Sequence, residues 1–292
     1  MKIIKPSVEF FGAVPTDYAG TLAFIEKAGR TCYKSEDKIT DSSAEGFVKR
    51  LISAGHLAMV EHSNFVVRTL NVNVVGCGAS LVEKAGKYLS IAYDEEYTYI
   101  GGNLTAWAQL AARSAYQSKE LLASFHIVYA KMFGLHAGWE NHWKVCTHNE
   151  IPEALHRYSA KFICDRGVSH ELVRHRPCSF AQESTRYVNY GGKDMEFIEP
   201  AGFEEWIGLA RYEFNLACKS AEESYKIMLR KVCDLKPQQA RAVLPNALKT
   251  EIIVTADAAE WAHIKKLRTH PSAHPDMVQI MNMMPWKEFI QC

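Results

Sequence analysis

Apolar positions recur at helical spacing in several stretches of the chain and at period two in others. Residues 17–28 carry Leu22, Phe24, Ile25 and Ala28 and predict a first helix, with Gly29-Arg30-Thr31-Cys32-Tyr33 leaving it and a polar loop over 34–41. Ser42 and Glu45 have the spacing of a capping box, and Ala44, Phe47, Val48, Leu51 and Ile52 follow at helical intervals until Gly55 stops the run. The period changes over 63–75, where Val66, Leu70, Val72 and Val74 share one face interrupted by Arg68. Residues 89–100 predict a second strand, closed by Gly101-Gly102. Asn103 can cap a helix through Trp107, Leu110 and Ala111, and another helical run covers 121–132. The pattern breaks down over 134–152.

Tyr158, Ala160, Phe162 and Cys164 alternate with polar residues, which predicts a strand over 157–164 leading into Asp165-Arg166-Gly167. Residues 168–176 contain no helix breaker and predict a short helix. Pro177 cannot continue it, so Ser179, Gln182, Ser184 and Arg186 are expected along a loop. A long helix is predicted over 204–232, its apolar side carrying Trp206, Leu209, Phe214, Ala217, Cys218, Ala221, Tyr225 and Met228. Pro237 can begin a helical turn that carries Arg241 and closes at Pro245. Asp257 and Glu260 have capping-box spacing before a helix through Trp261 and Ile264 to Arg268, and 275–290 is helical in pattern. With no repeat, low-complexity tract or linker, the expectation is one α+β domain over residues 1–292. It has a central, largely antiparallel sheet flanked by helices, with long helices in its C-terminal half.

Composition narrows the chemistry. The 292 residues are 48% hydrophobic, enough for a sizeable core, and 34 basic against 33 acidic residues leave a net charge of +1. A general nucleic-acid binder carries a basic excess, so no nucleic-acid partner is expected and an anion would be bound locally. The 8 cysteines form no CxxC pair, which suggests reduced thiols in the cytoplasm. No apolar stretch approaches membrane-spanning length and residues 1–15 lack a secretory pattern, so a soluble protein without a membrane partner is expected.

Several motifs fail. Gly76-Cys77-Gly78-Ala79-Ser80-Leu81 lacks the third glycine of a dinucleotide fingerprint and suits a hairpin turn. His170 and His175 are five residues apart, which turns them to different helix faces, so no zinc site and no other metal is expected. The histidines near Trp139 and Trp143 read as surface or packing residues. No strained serine elbow occurs. Cys178 stands among positive charges that favour a thiolate, but it equally suits a small packing residue.

The run from Arg174 to Tyr187, RHRPCSFAQESTRY, is the densest concentration of polar chemistry in the chain. Its guanidinium groups and hydroxyls suit a phosphate or a carbonyl-rich ring, or alternatively the carboxylates of a neighbouring subunit. Its spacing resembles the signature of flavin-dependent thymidylate synthases, Arg-His-Arg-x-x-Ser-x-(Asn/Ser)-(Glu/Gln)-x-Ser-x-Arg-Tyr, with Ala181 at the small polar position. The resemblance extends over most of the chain. It includes Arg30 to Tyr33, Gly55-His56 through Glu61-His62 to Phe65, Ala240-Arg241 to Leu244-Pro245, and Leu267-Arg268. An extended segment at about 76–155, including Gly102 to Trp107, resembles that of longer members.

The resemblance implies a methyltransferase that converts dUMP to dTMP. Its one-carbon donor would be methylenetetrahydrofolate, its reductant NADPH and its cofactor FAD, in a homotetramer with shared active sites. Matched positions imply that Asn64, Arg174, His175, Arg176, Gln182, Asp257, Ala258, Ala259 and His263 bind FAD. They imply that Glu171, Leu172, Val173 and Arg174 approach dUMP from one subunit and that Gln182, Glu183, Ser184, Thr185 and Arg186 hold it from another. Arg241 would also contact dUMP. Arg268 would face the uracil and act catalytically, stabilising charge at N3 or C5. The chain departs from the family at Asp257 and Ala259, where members often carry Asn and Arg, at Glu171, where some carry glutamine, and at Cys32, where many carry serine. A related pyrimidine-nucleotide methylase or hydroxymethylase, or an inactive nucleotide- or RNA-binding homologue, is the alternative reading.

Overall fold

Two nine-residue strands form the spine of the molecule. In the computed structural model, which describes residues 1–71, 89–113 and 144–290, β7 (Arg157–Asp165) and β10 (Lys249–Asp257) pair antiparallel along their whole length, from Lys249 opposite Asp165 to Asp257 opposite Arg157. β2 (Ser7–Ala13) adds to the outer edge of β7, and β8 (Ser179–Gln182) adds to β10, giving the order β2-β7-β10-β8, antiparallel throughout. β10 reads TEIIVTA through its centre, and both faces of that run are buried. A strand covered on both sides is expected to lose polar alternation.

One face of this sheet buries Ala160, Phe162, Ile252 and Val254 against Trp261 and Ile264 of α7 (Ala258–Arg268) and Met277 and Ile280 of α8 (Pro275–Met281). The other face packs Ile253 and Ala181 on Ala28 of α1 (Tyr18–Tyr33).

A second four-stranded antiparallel sheet has the order β4-β5-β3-β6, from β3 (Phe65–Leu70), β4 (Leu89–Tyr93), β5 (Tyr97–Gly102) and β6 (Lys144–Val145). Phe65 and Val67 face α1, α2 (Ser43–Ser53) and α3 (Leu104–Arg113), whereas Val66 packs beneath Tyr99, Ile151 and Leu155. A short parallel pair, β1 (Lys2–Ile4) with β9 (Glu196–Ile198), lies against α5 (Gly208–Met228), where Phe197, Cys218, Tyr225 and Leu248 form a third core. α4 (Arg166–Leu172) and α6 (Pro237–Ala240) complete the helices used below. The fold is α+β with antiparallel sheets flanked by helices. Among the described residues no helix is long and apolar enough to cross a membrane.

Local physics corrects several sequence expectations. α1 does not end at residue 28 but runs on to Tyr33, since Gly29 sits where a Cβ would come within 2.6 Å of the Phe47 ring. Here glycine marks a close helix–helix approach. Lys34, at φ 48°, then ends the helix. Ser42 makes no cap bond; instead Ser43 Oγ accepts from the Thr40 N–H at 2.9 Å and lies 2.8 Å from Glu26. Gly55, at φ 72°, stops α2 as expected.

The run 89–100 is a hairpin rather than one strand, because Asp94 Oδ1 accepts from the N–H groups of Glu96 (2.9 Å) and Tyr97 (2.6 Å) and turns the chain. Leu70, expected on the buried face of its strand, is 41% exposed. The helix expected over 168–176 starts at Arg166, capped by Asp165, and stops at Leu172, well before Pro177. Ser179 to Gln182, expected in a loop, form β8.

α5 is shorter than the 204–232 run, and its Leu209 is 66% exposed. The C-terminal helical pattern stops at Met281, with a 3-10 turn at Trp286–Glu288. Asn103 caps α3 through the Ala106 N–H at 2.8 Å. Residues 72–75, the Gly76–Leu81 turn, the 121–132 helix and His136, Trp139, His142 and Trp143 lie outside the described residues.

Candidate active site

α4 and α7 each leave the central sheet through a capping aspartate, and their C-terminal ends meet. Asp165 caps α4 and Asp257 caps α7, each accepting an N–H three residues on, at 3.0 and 2.8 Å. Buried Val168 and Leu172 pin α4, and buried Trp261 and Ile264 pin α7. This fixes Arg268, the last residue of α7, against the end of α4. Its Nη1 donates to Glu171 Oε2 at 2.6 Å and its Nη2 to the Glu171 carbonyl at 3.2 Å. Its Nε donates to His175 Nε2 at 3.0 Å.

His175 is buried, its other ring nitrogen is 3.2 Å from Glu260 Oε1, and its ring meets that of His263 edge-on at 5.9 Å between centroids. Burial, reinforced by the Arg268 and His263 charges, lowers the His175 pKa to about 4. Glu171 also lines a cavity of about 380 Å³ with Asp165, His274 and Asp276. Its acidic walls are unsuited to a phosphate.

The second half of the arginine run is held from below. The buried Glu183 carboxylate accepts from Tyr190 Oη at 2.7 Å and pairs with Lys249 Nζ at 3.1 Å, and Lys249 also pairs with Glu251. Lys34 closes this network on Glu251 at 2.7 Å. Burial pushes the Glu251 carboxyl upward, but hydrogen bonds and charge from Lys249 and Lys34 outweigh it and leave the pKa below the ordinary value. Glu183 is thus an anchor of the loop rather than an outward-facing group.

Above that anchor, the Ser184 N–H donates to the Cys32 carbonyl at 3.0 Å, and the buried Thr185 hydroxyl accepts from Arg241 Nη1 at 3.2 Å. Arg186 is exposed, its guanidinium 5.6 Å from the Tyr187 ring. Gln182 ties the two halves together, its Nε2 donating to Ser169 Oγ of α4 at 2.9 Å and to Thr250 Oγ1 at 3.2 Å. Leu172 and Val173 are buried and half-buried, so the apolar side chain of Leu172 serves the core.

The residues assigned to a flavin are only partly brought together. Arg174, Arg176 and His263 are exposed around His175. Asn64 is buried elsewhere. Its Nδ2 donates to the Leu155 carbonyl at 3.1 Å, its Oδ1 has no hydrogen-bond partner, and it lines a cavity of about 590 Å³ with Tyr18, Phe65, Leu104 and His148. Asp257 is committed to its helix cap, and Ala258 and Ala259 have no polar side-chain atom to offer. Cys178 is buried in the core, and burial raises its thiol well above the ordinary range, so the packing role holds and the thiolate role does not.

Two polar residues escaped the sequence reading. Glu260 was legible only as a capping partner. Arg157, legible only as the first residue of a strand, is buried and donates to the carbonyls of Glu61, Ser63 and Thr255 and to Ser179 Oγ, joining both sheets.

The family model described as thymidylate synthase complementing protein, Thy1, matches residues 105–290, well over half of the chain. The chain belongs to this family. Among curated relatives, this Thy1 member is 39% identical over 104 residues to the flavin-dependent thymidylate synthase of Geobacter sulfurreducens, covering 35% of the chain and 43% of that protein. It is 35% identical over 114 residues to that of Thermococcus onnurineus, covering 36% and 42%. It is 36% identical over 125 residues to that of Mycobacterium tuberculosis H37Rv, covering 38% and 48%. The chain thus spans just under half the length of the curated relatives it matches. A crystal structure of a UMP/dUMP methylase, PolB, from Streptomyces cacaoi bound with 5-Br dUMP aligns over 99% of this chain and 93% of that one, at 15% identity and a TM-score of 0.44, too remote to bear on function.

Proposed function

We propose that this protein is a flavin-dependent thymidylate synthase that methylates dUMP to dTMP, with methylenetetrahydrofolate as carbon donor and NADPH as reductant. The observation that carries the reading is the fixed guanidinium of Arg268, oriented from three sides beside the exposed arginines of the signature run. Membership of the family and the names of its relatives support it.

In this reading Arg186 and Ser184 hold the nucleotide phosphate, since an exposed guanidinium and a hydroxyl on an anchored loop form charge-assisted hydrogen bonds to it at little reorganisation cost. Arg241, turned toward the same loop by Thr185, adds a second cation. Arg268 faces the uracil and stabilises negative charge that develops at N3 or C5, a task suited to a group that never loses its proton. Arg174 and Arg176 fit the diphosphate of FAD, with His263 beside them, whereas Asp257, an acceptor already used in a cap, does not fit as a donor. FAD, when bound, supplies the redox chemistry that completes the methyl group.

Assembly as a homotetramer belongs to the same proposal. It is supported by Ile207, Leu209, Tyr212 and Leu216, which expose apolar area at and along α5. Light scattering of the purified protein tests it. A cytoplasmic location is supported by six described cysteines that are all unpaired.

The deciding experiment is mass spectrometry of the nucleotide after incubation with dUMP, FAD, NADPH and methylenetetrahydrofolate. Formation of dTMP that disappears when FAD or the folate is omitted is expected. A hydroxymethylated product would keep the scaffold and change the reaction, and unchanged dUMP in a flavin-loaded protein would overturn the reading.

A further inference from the structure

The His175 ring lies between a group that can only donate and a group that can accept. Arg268 Nε is 3.0 Å from His175 Nε2, and a guanidinium has no lone pair to offer, so Nε2 must carry the free pair. The neutral ring then holds its proton on Nδ1, and Glu260 Oε1 lies 3.2 Å from that atom. Burial together with the Arg268 and His263 charges keeps the ring uncharged near neutrality.

The same residues invite another reading. His175, Glu260 and His263 offer ligand atoms that all lie within 4.8 Å of one another, close enough for a metal ion. A proton on Nδ1 removes the lone pair that a metal at this position would need. While Arg268 occupies Nε2, the hydrogen-bonded arrangement therefore excludes the metal.

We propose that Glu260 is a positioning residue: it aligns the His175 ring through Nδ1–H, and His175 in turn orients the Arg268 guanidinium through Nε–H. Glu171 grips the other edge of the guanidinium through its carboxylate and its carbonyl. A guanidinium has five N–H bonds, and the three bonds to His175 and Glu171 leave two free to meet a substrate. The chain Glu260–His175–Arg268–Glu171 thus joins the first turn of α7 to its last residue through the segment that follows α4. Removing the Glu260 carboxylate spares the helix cap, which uses only the Glu260 backbone N–H. The catalytic consequence rests on the role of Arg268 proposed above; the hydrogen-bonded chain itself does not.

The test is nitrogen-15 NMR of the ligand-free full chain, with the His175 signals assigned through a His175→Gln variant. The expected spectrum shows His175 as the Nδ1–H tautomer with a slowly exchanging ring proton. In Glu260→Ala that proton exchanges freely and the Arg268 Nε–H shift moves toward that of a free arginine. Glu260→Gln retains both signals, because its amide oxygen still accepts. In turnover assays Glu260→Ala lowers kcat by about 10–100-fold, the loss seen when the carboxylate that orients a metal-binding histidine is removed, while KM for dUMP changes little, and Glu260→Gln recovers most of the loss.

An Nε2–H tautomer in the native protein would overturn the proposal. So would signals unchanged in Glu260→Ala, or tight binding of added zinc that shifts His175 and His263 together. Were the native protein unable to turn over dUMP, the functional assignment would fall while the spectra still decided whether the chain exists.

Discussion

The two halves of the arginine run are prepared in opposite ways. Around Arg268 three of the five guanidinium N–H bonds are closed before any ligand arrives: Glu171, His175 and Glu260 form a continuous chain, with His175 buried at its centre. Around Arg186 only the foundation is closed. Glu183 and Lys249 are buried and paired, whereas the guanidinium of Arg186 stands in solvent. The contrast matches the tasks proposed for them. A group that stabilises developing charge gains most from being oriented in advance, because reorganisation then adds nothing to the barrier. A group that captures a phosphate gains from being reachable, and its strength comes from charge.

The comparison is broken most directly at Arg268. Arg268→Ala is expected to lower turnover by about 10³-fold, the range for losing a preorganised electrostatic contact, with little change in the thermal midpoint, since only the end of α7 is altered. Product formation and a thermal melt read the two sides of that statement. Turnover within tenfold of the native protein would mean that the closed cluster is scaffolding.

The foundation of the open half gives the next effect. Glu183→Ala leaves Lys249 and Tyr190 with an unmet partner in the interior, and breaking a buried ion pair in this way costs about 3 kcal/mol. Because Lys249 keeps Glu251, the lower end of the usual range applies. Urea denaturation measures it, and an unchanged midpoint would show that the loop does not depend on this anchor.

These contrasts were unequally visible in the chain. β7 was within reach because its core-facing residues alternate openly, whereas β10 went unread: both its faces are buried, so it shows no alternation, and only the Asp257 cap marks where it ends. The helix from Asp257 to Arg268 was legible as β7 was, since a cap and an apolar periodicity are local signals. β8 was hidden, for its four residues follow a proline and pair only with a strand some 70 positions away. Gly29 looked like a helix end because the ring it makes room for, Phe47, lies in the next helix.

The site divides along the same line. The signature run marked Arg174 to Arg186 by sequence alone. That Glu183 faces inward, that Asn64 lines a separate cavity, and that Glu260 reaches back to His175 all depend on contacts across distant segments. No spacing along the chain encodes them.

Arg186→Ala sharpens the open side. An exposed guanidinium bound to a phosphate contributes about 1.5–3 kcal/mol, so dUMP affinity should fall by about 10–100-fold with the fold intact. Isothermal titration reads the loss, which should shrink as salt is raised because the contact is screened. Binding that is insensitive to both the substitution and the salt would move the phosphate to another part of the surface.

The smallest effect concerns acid. The folded ring of His175 resists a proton that the unfolded chain accepts below its ordinary value of about 6.5. The folded pKa is lowered to about 4, chiefly by burial and then by Arg268 and His263. Folded protein therefore binds fewer protons than unfolded protein between these values. The stability that His175 contributes is complete above pH 6.5 and is lost as pH falls toward 4. His62, fully buried and lowered to about 3 by burial and then by Arg157, acts with the same sign. Glutamine at position 175 can accept from Arg268 and donate to Glu260 without titrating, so it isolates the share owed to His175. Between pH 7 and 4.5 the native protein should lose more of its thermal midpoint than His175→Gln, by on the order of 3 °C, the shift that about 1 kcal/mol produces in a protein somewhat smaller than this one. Arg186→Ala leaves the His175 ring and its partners untouched, so it should follow the native curve. Equal losses in all three proteins would show that His175 takes up its proton without disturbing Arg268, and the closed half of the site would then be no more constrained than the open one.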